Sequence, residues 1–505
     1  MNIKILSLVF LCASALILPA GFPFKGNAAH AETFQEALIS AYSHPRLQAE
    51  RARLREIDET YVQAQSAGRL TSSISASVGL VGTNARSLNF ATGAEIDGGV
   101  TTYPRNLQIE FIQPLYQGGR VRALKNQSKA GIMAARENLR QAEQLLFQEA
   151  AIAYVDVLRD EEVARTRRNN VKVLTRQLIA AQDRFDVGEG TLTDIAQAKS
   201  RLAGAEIGLG QADAALASSR AVYKQIIGHS PLDLRPVPTI ALPASLDRAL
   251  ELAKTNNPNL IASRYNEIAA EAGLDVANSA SRPRIGLVGS AQGAYDPAFG
   301  VSRSRAASLA AQVSIPIFTG GLNRSRKRAA SEAKSRAKFE TRNAQGLIQQ
   351  SVAQIWAQHT AAQITRRASQ TQVEAAEIAF EGVILEQDVG TRTTLDVLDA
   401  EQELLSAKLA LIDARRGSLV AGYRLLTVLG AFDAESLQLA VNTYNAAENF
   451  DKVRYKGIFG DHVSDETETV QGDPVLNKDH IRGGEARVTE IYDTYISSPL
   501  EKIED

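Results

Sequence analysis

Asp396 and Asp399 are the pair of residues whose spacing first invites a chemical reading. Three positions apart on a helix, two carboxylates share one face. Such a pair could divide acid and base roles, attract cations, or favour the positive end of a helix. Hydrolysis is the poorest of these readings, because nothing around the pair suggests a substrate pocket. Other catalytic machinery is missing from the sequence. There is no G-x-x-x-x-G-K-S/T loop, no H-E-x-x-H and no G-x-S-x-G, so nucleotide, zinc and serine chemistry lack their residues. His44, His229, His359, His462 and His480 are scattered. The expectation is a protein that is not an enzyme and holds no cofactor or metal.

The elements that carry these residues emerge from composition and repeats. The 505 residues are 44% hydrophobic and 22% charged, with a net charge of −1. A near-neutral chain argues against a nucleic-acid partner. The basic run Arg324-Ser325-Arg326-Lys327-Arg328 reads instead as a solvated helix face. Residues 1–31 read as a signal peptide: Lys4 precedes an apolar stretch over 5–18, and Ala29-His30-Ala31 is a small-x-small cleavage site. Cys12 lies inside that apolar stretch, so the mature chain has no Cys and no lipid-anchoring site.

The chain repeats itself. Pro114-Leu115-Tyr116-Gln117-Gly118-Gly119 matches Pro316-Ile317-Phe318-Thr319-Gly320-Gly321 at an offset of 202. Asp186-Val187-Gly188 matches Asp388-Val389-Gly390 at the same 202. His44-Pro45 matches Asn257-Pro258 at 213. One unit is therefore duplicated, over 32–230 and 245–430, with the Pro-rich 231–244 as linker and 431–505 as a C-terminal segment. Residues 444–505 hold 14 acids and 7 bases and read as a partly disordered tail.

Within each unit the hydrophobic period changes. Residues 33–67 and 245–280 have helical spacing. Period-2 strands follow over 71–81 and 106–113, and over 285–291 and 308–315, giving hairpins at about 70–113 and 284–315. Polar, Gly-rich loops are expected at 82–105 and 292–307. Residues 120–186 and 322–388 contain no Pro and read as long helices. Gly188 and Gly390 break them, and Thr193-Asp194 and Thr394-Leu395-Asp396 supply cap candidates for the next helices.

Four amphipathic strands cannot close a barrel, and a membrane-spanning sheet tolerates no open edge. Several protomers must share one. Two would give eight strands and a filled interior; three would give twelve and a water-filled pore.

Pro114-Leu115-Tyr116-Gln117-Gly118-Gly119, Phe185-Asp186-Val187-Gly188 and the stretch Val389-Gly390-Thr391-Arg392-Thr393-Thr394-Leu395-Asp396-Val397-Leu398-Asp399-Ala400 resemble the TolC family of outer membrane efflux proteins. The resemblance covers about 33–430. It implies a mostly α protein with a membrane β-barrel: a homotrimer with a twelve-stranded barrel in outer membrane lipid, above a periplasmic α-helical barrel. It implies an exit duct for drug pumps and type I secretion. The implied partners are a periplasmic adaptor protein and an inner-membrane pump of RND or ABC type.

By the same resemblance Asp396 and Asp399 form the periplasmic constriction. Six crowded carboxylates would favour cations and raise one another's pKa. Asp194 and Arg392 match residues that hold a closed gate, and Thr193 stands beside Asp194. Gln387 departs from the pattern, where relatives carry an aromatic residue. Val187, Gly188, Val389, Gly390 and Thr391 form the helix tips at which an adaptor would dock. The alternative from another class is a periplasmic adaptor or coiled-coil scaffold without a pore. The alternating strands favour the duct.

Overall fold

The computed structural model describes residues 31–455, apart from 89–91, 94, 239–240 and 299–300. The expected signal segment up to residue 30 and the acidic residues 456–505 lie outside the described residues. The first unit runs α1 (Phe34–Ala41), α2 (Pro45–Ser66), β1 (Thr71–Val78), β2 (Val81–Leu88), β3 (Glu95–Thr102), β4 (Arg105–Gln117), α3 (Arg120–Asp186) and α4 (Leu192–Ile227). The second runs α5 (Leu246–Asn256), α6 (Pro258–Ser279), β5 (Arg284–Ala298), β6 (Val301–Ser314), α7 (Leu322–Asp388) and α8 (Thr394–Leu429), and a short α9 (Glu448–Val453) follows.

Helices α3 and α7 each hold 67 residues, about 100 Å at 1.5 Å per residue. Each is flanked by α4 or α8 along one half and by α2 or α6 along the other. Gly119 and Gly321, both at φ 85°, turn the chain out of the strands into these helices.

Two expectations for the helices need correction. Residues 33–67 and 245–280 each form two helices rather than one. Pro45 and Pro258 explain the breaks, because the residue before a proline is driven out of the helical region. Asn257 then caps the new start, its side chain accepting from the Leu260 amide at 3.2 Å. The caps of α4 and α8 are Thr191 and Thr393, not Thr193 or Thr394.

The four expected strands form one antiparallel sheet in the order β1-β4-β5-β6. Register makes the alternation coherent across it. Ile74, Ile109, Ala291 and Ala307 pair in one row; Ser75, Gln108, Gln292 and Ala306 pair in the next. One face is therefore apolar and the other is lined by small or polar residues. Loop expectations failed on both sides. Within 82–105, β2 and β3 form a second hairpin, and 292–307 is largely strand, since β5 and β6 run on to Ala298 and from Val301. These extensions are rich in Gly, Ser and Arg, so their alternation carries little hydrophobic signal.

The main core lies midway along the long helix α3. Phe34, Phe147, Tyr154, Tyr223, Tyr423 and Phe432 pack there from α1, α3, α4, α8 and the segment after α8. Phe34 stacks on Tyr423 at 5.3 Å. Arg140 of α3 binds Asp433 at 2.8 Å. The first residues of the segment read as a partly disordered tail are packed on the body: Tyr444 donates its amide to the Tyr42 hydroxyl at 2.8 Å, and Phe450 of α9 meets Tyr61 edge-on at 5.2 Å. No helix among the described residues is long and apolar enough to cross a membrane.

Candidate functional site at the helix tips

The turns α3–α4 and α7–α8 lie at the end of the molecule opposite the sheet. Each turn closes on a left-handed glycine, Gly188 at φ 83° or Gly390 at φ 81°. In the second turn the amide and hydroxyl of Thr391 donate to the Glu386 carbonyl at 2.9 and 2.8 Å. Apolar side chains stand outward around the turns. Val187 and Val389 are 73% and 74% exposed, and Phe185, Leu192 and Leu385 are exposed too. Thr193 is exposed beside them.

Both acids that follow the turns are built into capping boxes. Asp194 accepts from the hydroxyl and amide of Thr191 at 2.7 and 3.0 Å. Asp396 accepts from the amide and hydroxyl of Thr393 at 2.9 and 2.8 Å. These bonds hold both carboxyls below the usual carboxylate range. In each case the Thr bonds outweigh the opposing effect of burial, and a nearby arginine, Arg184 or Arg392, lowers the pKa further.

Asp399 lies one turn deeper and has a different partner. Arg201 of α4 donates to it at 2.6 Å. Arg392 pairs with Glu386 at 2.7 Å, which raises the guanidinium pKa. Gln387 reaches the Thr394 hydroxyl at 3.4 Å. Among the described residues no hydrogen bond or ion pair joins Asp194 or Thr193 to Arg392 or Gln387. The structure brings Asp396, Arg392 and Gln387 together on one turn and leaves Asp194 on the other.

What seats α8 is the face behind its acids. Leu398 is buried against Leu174 of α3 and Ala205 of α4. Glu401 is buried one turn on, where Asn170 of α3 donates to it at 2.9 Å, and burial raises its pKa. The sequence reading missed Thr191, Thr393, Arg201 and Glu386. The first two carry a legible signal, Thr-x-x-Asp in both repeats. Arg201 carries none, since its partner is 198 residues away.

A duplicated protomer of this kind, with a four-stranded open-edged sheet on paired 100 Å helices, defines an outer membrane channel component. The family model described as "Outer membrane efflux protein" matches residues 38–229 and 249–431, and the chain belongs to that family. It is 34% identical over 449 residues to the outer membrane efflux protein BepC of Brucella suis biovar 1, covering 88% of this chain and 95% of that one. It is 26% identical to the outer membrane protein TolC of Vibrio cholerae, covering 65% and 77%. Among solved structures, the outer membrane protein VceC of Vibrio cholerae superimposes with a TM-score of 0.65 at 20% identity, over 79% of this chain and 96% of that one. The protein is thus an outer membrane efflux channel that extends into the periplasm. Its family and relatives are channels rather than enzymes.

Proposed function

We propose that three copies close into one duct, the exit of a tripartite export system. The observation that carries this reading is the sheet with two unpaired edges. β1 and β6 each have a partner on one side only, while the apolar face is exposed at Ile74, Leu107, Phe111 and Leu309. In lipid, edges must pair and the apolar face must turn outward. Three sheets of four strands satisfy both conditions with a bore wide enough for water. The polar face, with Ser75, Gln108 and Ser290, then lines the bore.

Most residues on the bore face are small or uncharged, with Glu110 and Arg284 as its charged members. This suits a passive conduit for toxic small molecules, drugs among them, and for secreted proteins. Selection and energy belong to an inner-membrane pump, and a periplasmic adaptor joins the two by packing on the exposed valines of the tips. Asp396 and Asp399 form the gate, and the contacts of Arg392, Gln387, Asp194 and Thr193 set its resting state. Opening swings α7 and α8 away from α3 and α4.

The test uses the cysteine-free mature chain. Ser73→Cys on β1 is combined in turn with single cysteines at 304, 306, 308 and 310 on β6. Oxidation in outer membranes should give a covalent trimer in at least one pair. A chain that stays monomeric in every pair, and gives no conductance in planar bilayers, overturns the reading.

A further inference from the structure

Arg122 and Lys125 of α3 recur as Arg324 and Lys327 of α7, at the 202-residue offset that relates the repeats. Each pair follows a left-handed glycine, Gly119 or Gly321, at the point where the chain leaves the strands. At 1.5 Å per residue, the Arg stands about 5 Å and the Lys about 9 Å along the helix. Three positions apart, they share a face.

None of these four cations takes part in an ion pair among the described residues, whereas deeper cations do: Lys334 takes Glu271 at 2.6 Å and Lys408 takes Glu377 at 3.0 Å. The first turns of α3 and α7 contain no acid, and neither glycine offers a side-chain cap. A helix N-terminus is itself positive. Here arginines add to that charge instead of acids offsetting it. The surplus repeats in both units and calls for an anion from outside the chain.

The direction in which the first pair faces follows from its neighbours. Tyr61, Val121, Arg122, Lys125, Asn126 and Lys129 line a shallow cleft of about 360 Å³. The Lys125 and Lys129 ammoniums lie 5.4 and 6.0 Å from the Tyr61 ring centre, and that ring meets Phe450 of α9. An element laid across the wall of a tube can lie inside only by filling the bore, so α9 and this cleft face outward. This step rests on the trimeric duct reading. Just below the barrel, an outward face meets the periplasmic surface of the bilayer.

We propose that Arg122 and Lys125, with their repeats Arg324 and Lys327, bind the phosphate headgroups of anionic phospholipids in the periplasmic leaflet. Three protomers would carry six such pairs in a collar. The collar fixes the depth of the barrel in the membrane and gathers acidic lipid around it.

Native mass spectrometry of the purified full-length protein tests this, with phosphatidylglycerol and phosphatidylethanolamine as probes. The wild type should prefer phosphatidylglycerol. Each cation near an acidic lipid surface is worth about fivefold in affinity. The variant Arg122→Gln/Lys125→Gln/Arg324→Gln/Lys327→Gln should therefore lose about 25-fold per pair. A control, Arg336→Gln/Lys338→Gln/Arg366→Gln/Arg367→Gln, removes equal charge deeper on α7 and should keep the preference. If the quadruple variant fails to assemble, Lys125→Gln/Lys327→Gln carries the test with a fivefold loss. Equal lipid affinity in wild type and variant overturns the proposal. So does an equal loss in the control, or displacement of the lipid by equimolar inorganic phosphate. A wild type that is monomeric would sink the duct reading instead, which separates the two failures.

Discussion

Arg201 of α4 donates to the carboxylate of Asp399 on α8 at 2.6 Å, tying the tip of the first repeat to that of the second. Both side chains are well exposed, so the pair is worth only about 0.2–1 kcal/mol in stability. Its greater effect is on charge, because it offsets one of the two acids proposed for the gate. Arg201→Gln should raise the preference for cations over anions, and Asp399→Asn should lower it. Reversal potentials across bilayers in asymmetric KCl measure both. Thermal stability should change by less than about 4 °C. Identical reversal potentials in the wild type and both variants would remove these residues from the ion path.

The capping boxes give a second expectation, separable from gating. Thr191→Ala removes the hydroxyl that caps α4 and should cost about 1 kcal/mol locally. Hydrogen exchange over 188–196 should quicken, with the rest of α4 unchanged. Thr193→Ala, one residue inside the helix, should leave exchange as it was. The pH dependence follows from the lowered pKa values of Asp194 and Asp396. A depressed folded pKa stabilises above the unfolded value, about 3.9, and that stability is lost as pH falls through the lowered one. The tips should stay protected from pH 7 to 5 and open below about pH 4. Asp194→Asn should flatten this profile at the first tip.

These residues also show which parts of the molecule a sequence can reveal. The 202-residue spacing located α3, α4, α7 and α8 because long Pro-free helices leave a strong period and end on glycines. Strands β1 and β4 were legible because one face must be apolar in lipid. β2 and β3 were not, since Gly, Thr, Asn and Ser interrupt any apolar alternation along Val81–Leu88 and Glu95–Thr102. At the tip, the acids were legible from spacing, but the partners of Asp399 and Arg392 depend on how two distant turns and their side chains meet. Glu386 is six residues from Arg392, yet only the folded turn brings them to 2.7 Å.

Glu143 provides a test of the core rather than of the gate. Burial pushes its carboxyl up to about 6, although it accepts the Ala434 amide at 2.8 Å. An acid raised in the folded state binds a proton that the unfolded chain releases earlier. Stability is then greatest below about pH 4.5 and falls as pH rises to about 6. Glu143→Gln keeps an acceptor for Ala434 and removes the penalty. It should stabilise the protein at pH 8 by about 2 kcal/mol and leave it unchanged at pH 4. Thermal unfolding at the two pH values measures this, and equal shifts at both would refute the assignment to ionisation.

Gly228 and Gly430 end equivalent helices, α4 and α8, at φ 103° and 75°, yet their surroundings differ. A Cβ on Gly228 would meet nothing within 4 Å, whereas one on Gly430 would stand 2.2 Å from the Asn256 carbonyl oxygen. That close approach has a structural purpose. Arg140 donates to the Gly430 carbonyl at 2.9 Å and to Asn256 at 3.4 Å, clamping the end of α8 onto the junction of α5 and α6. Both alanine variants incur left-handed backbone strain of about 1 kcal/mol. Gly430→Ala must also displace backbone, which adds about 1–3 kcal/mol. It should therefore melt several degrees below Gly228→Ala, as followed by circular dichroism. Equal melting of the two variants would mean that the contact at Asn256 relaxes freely, and that the second repeat is not clamped there.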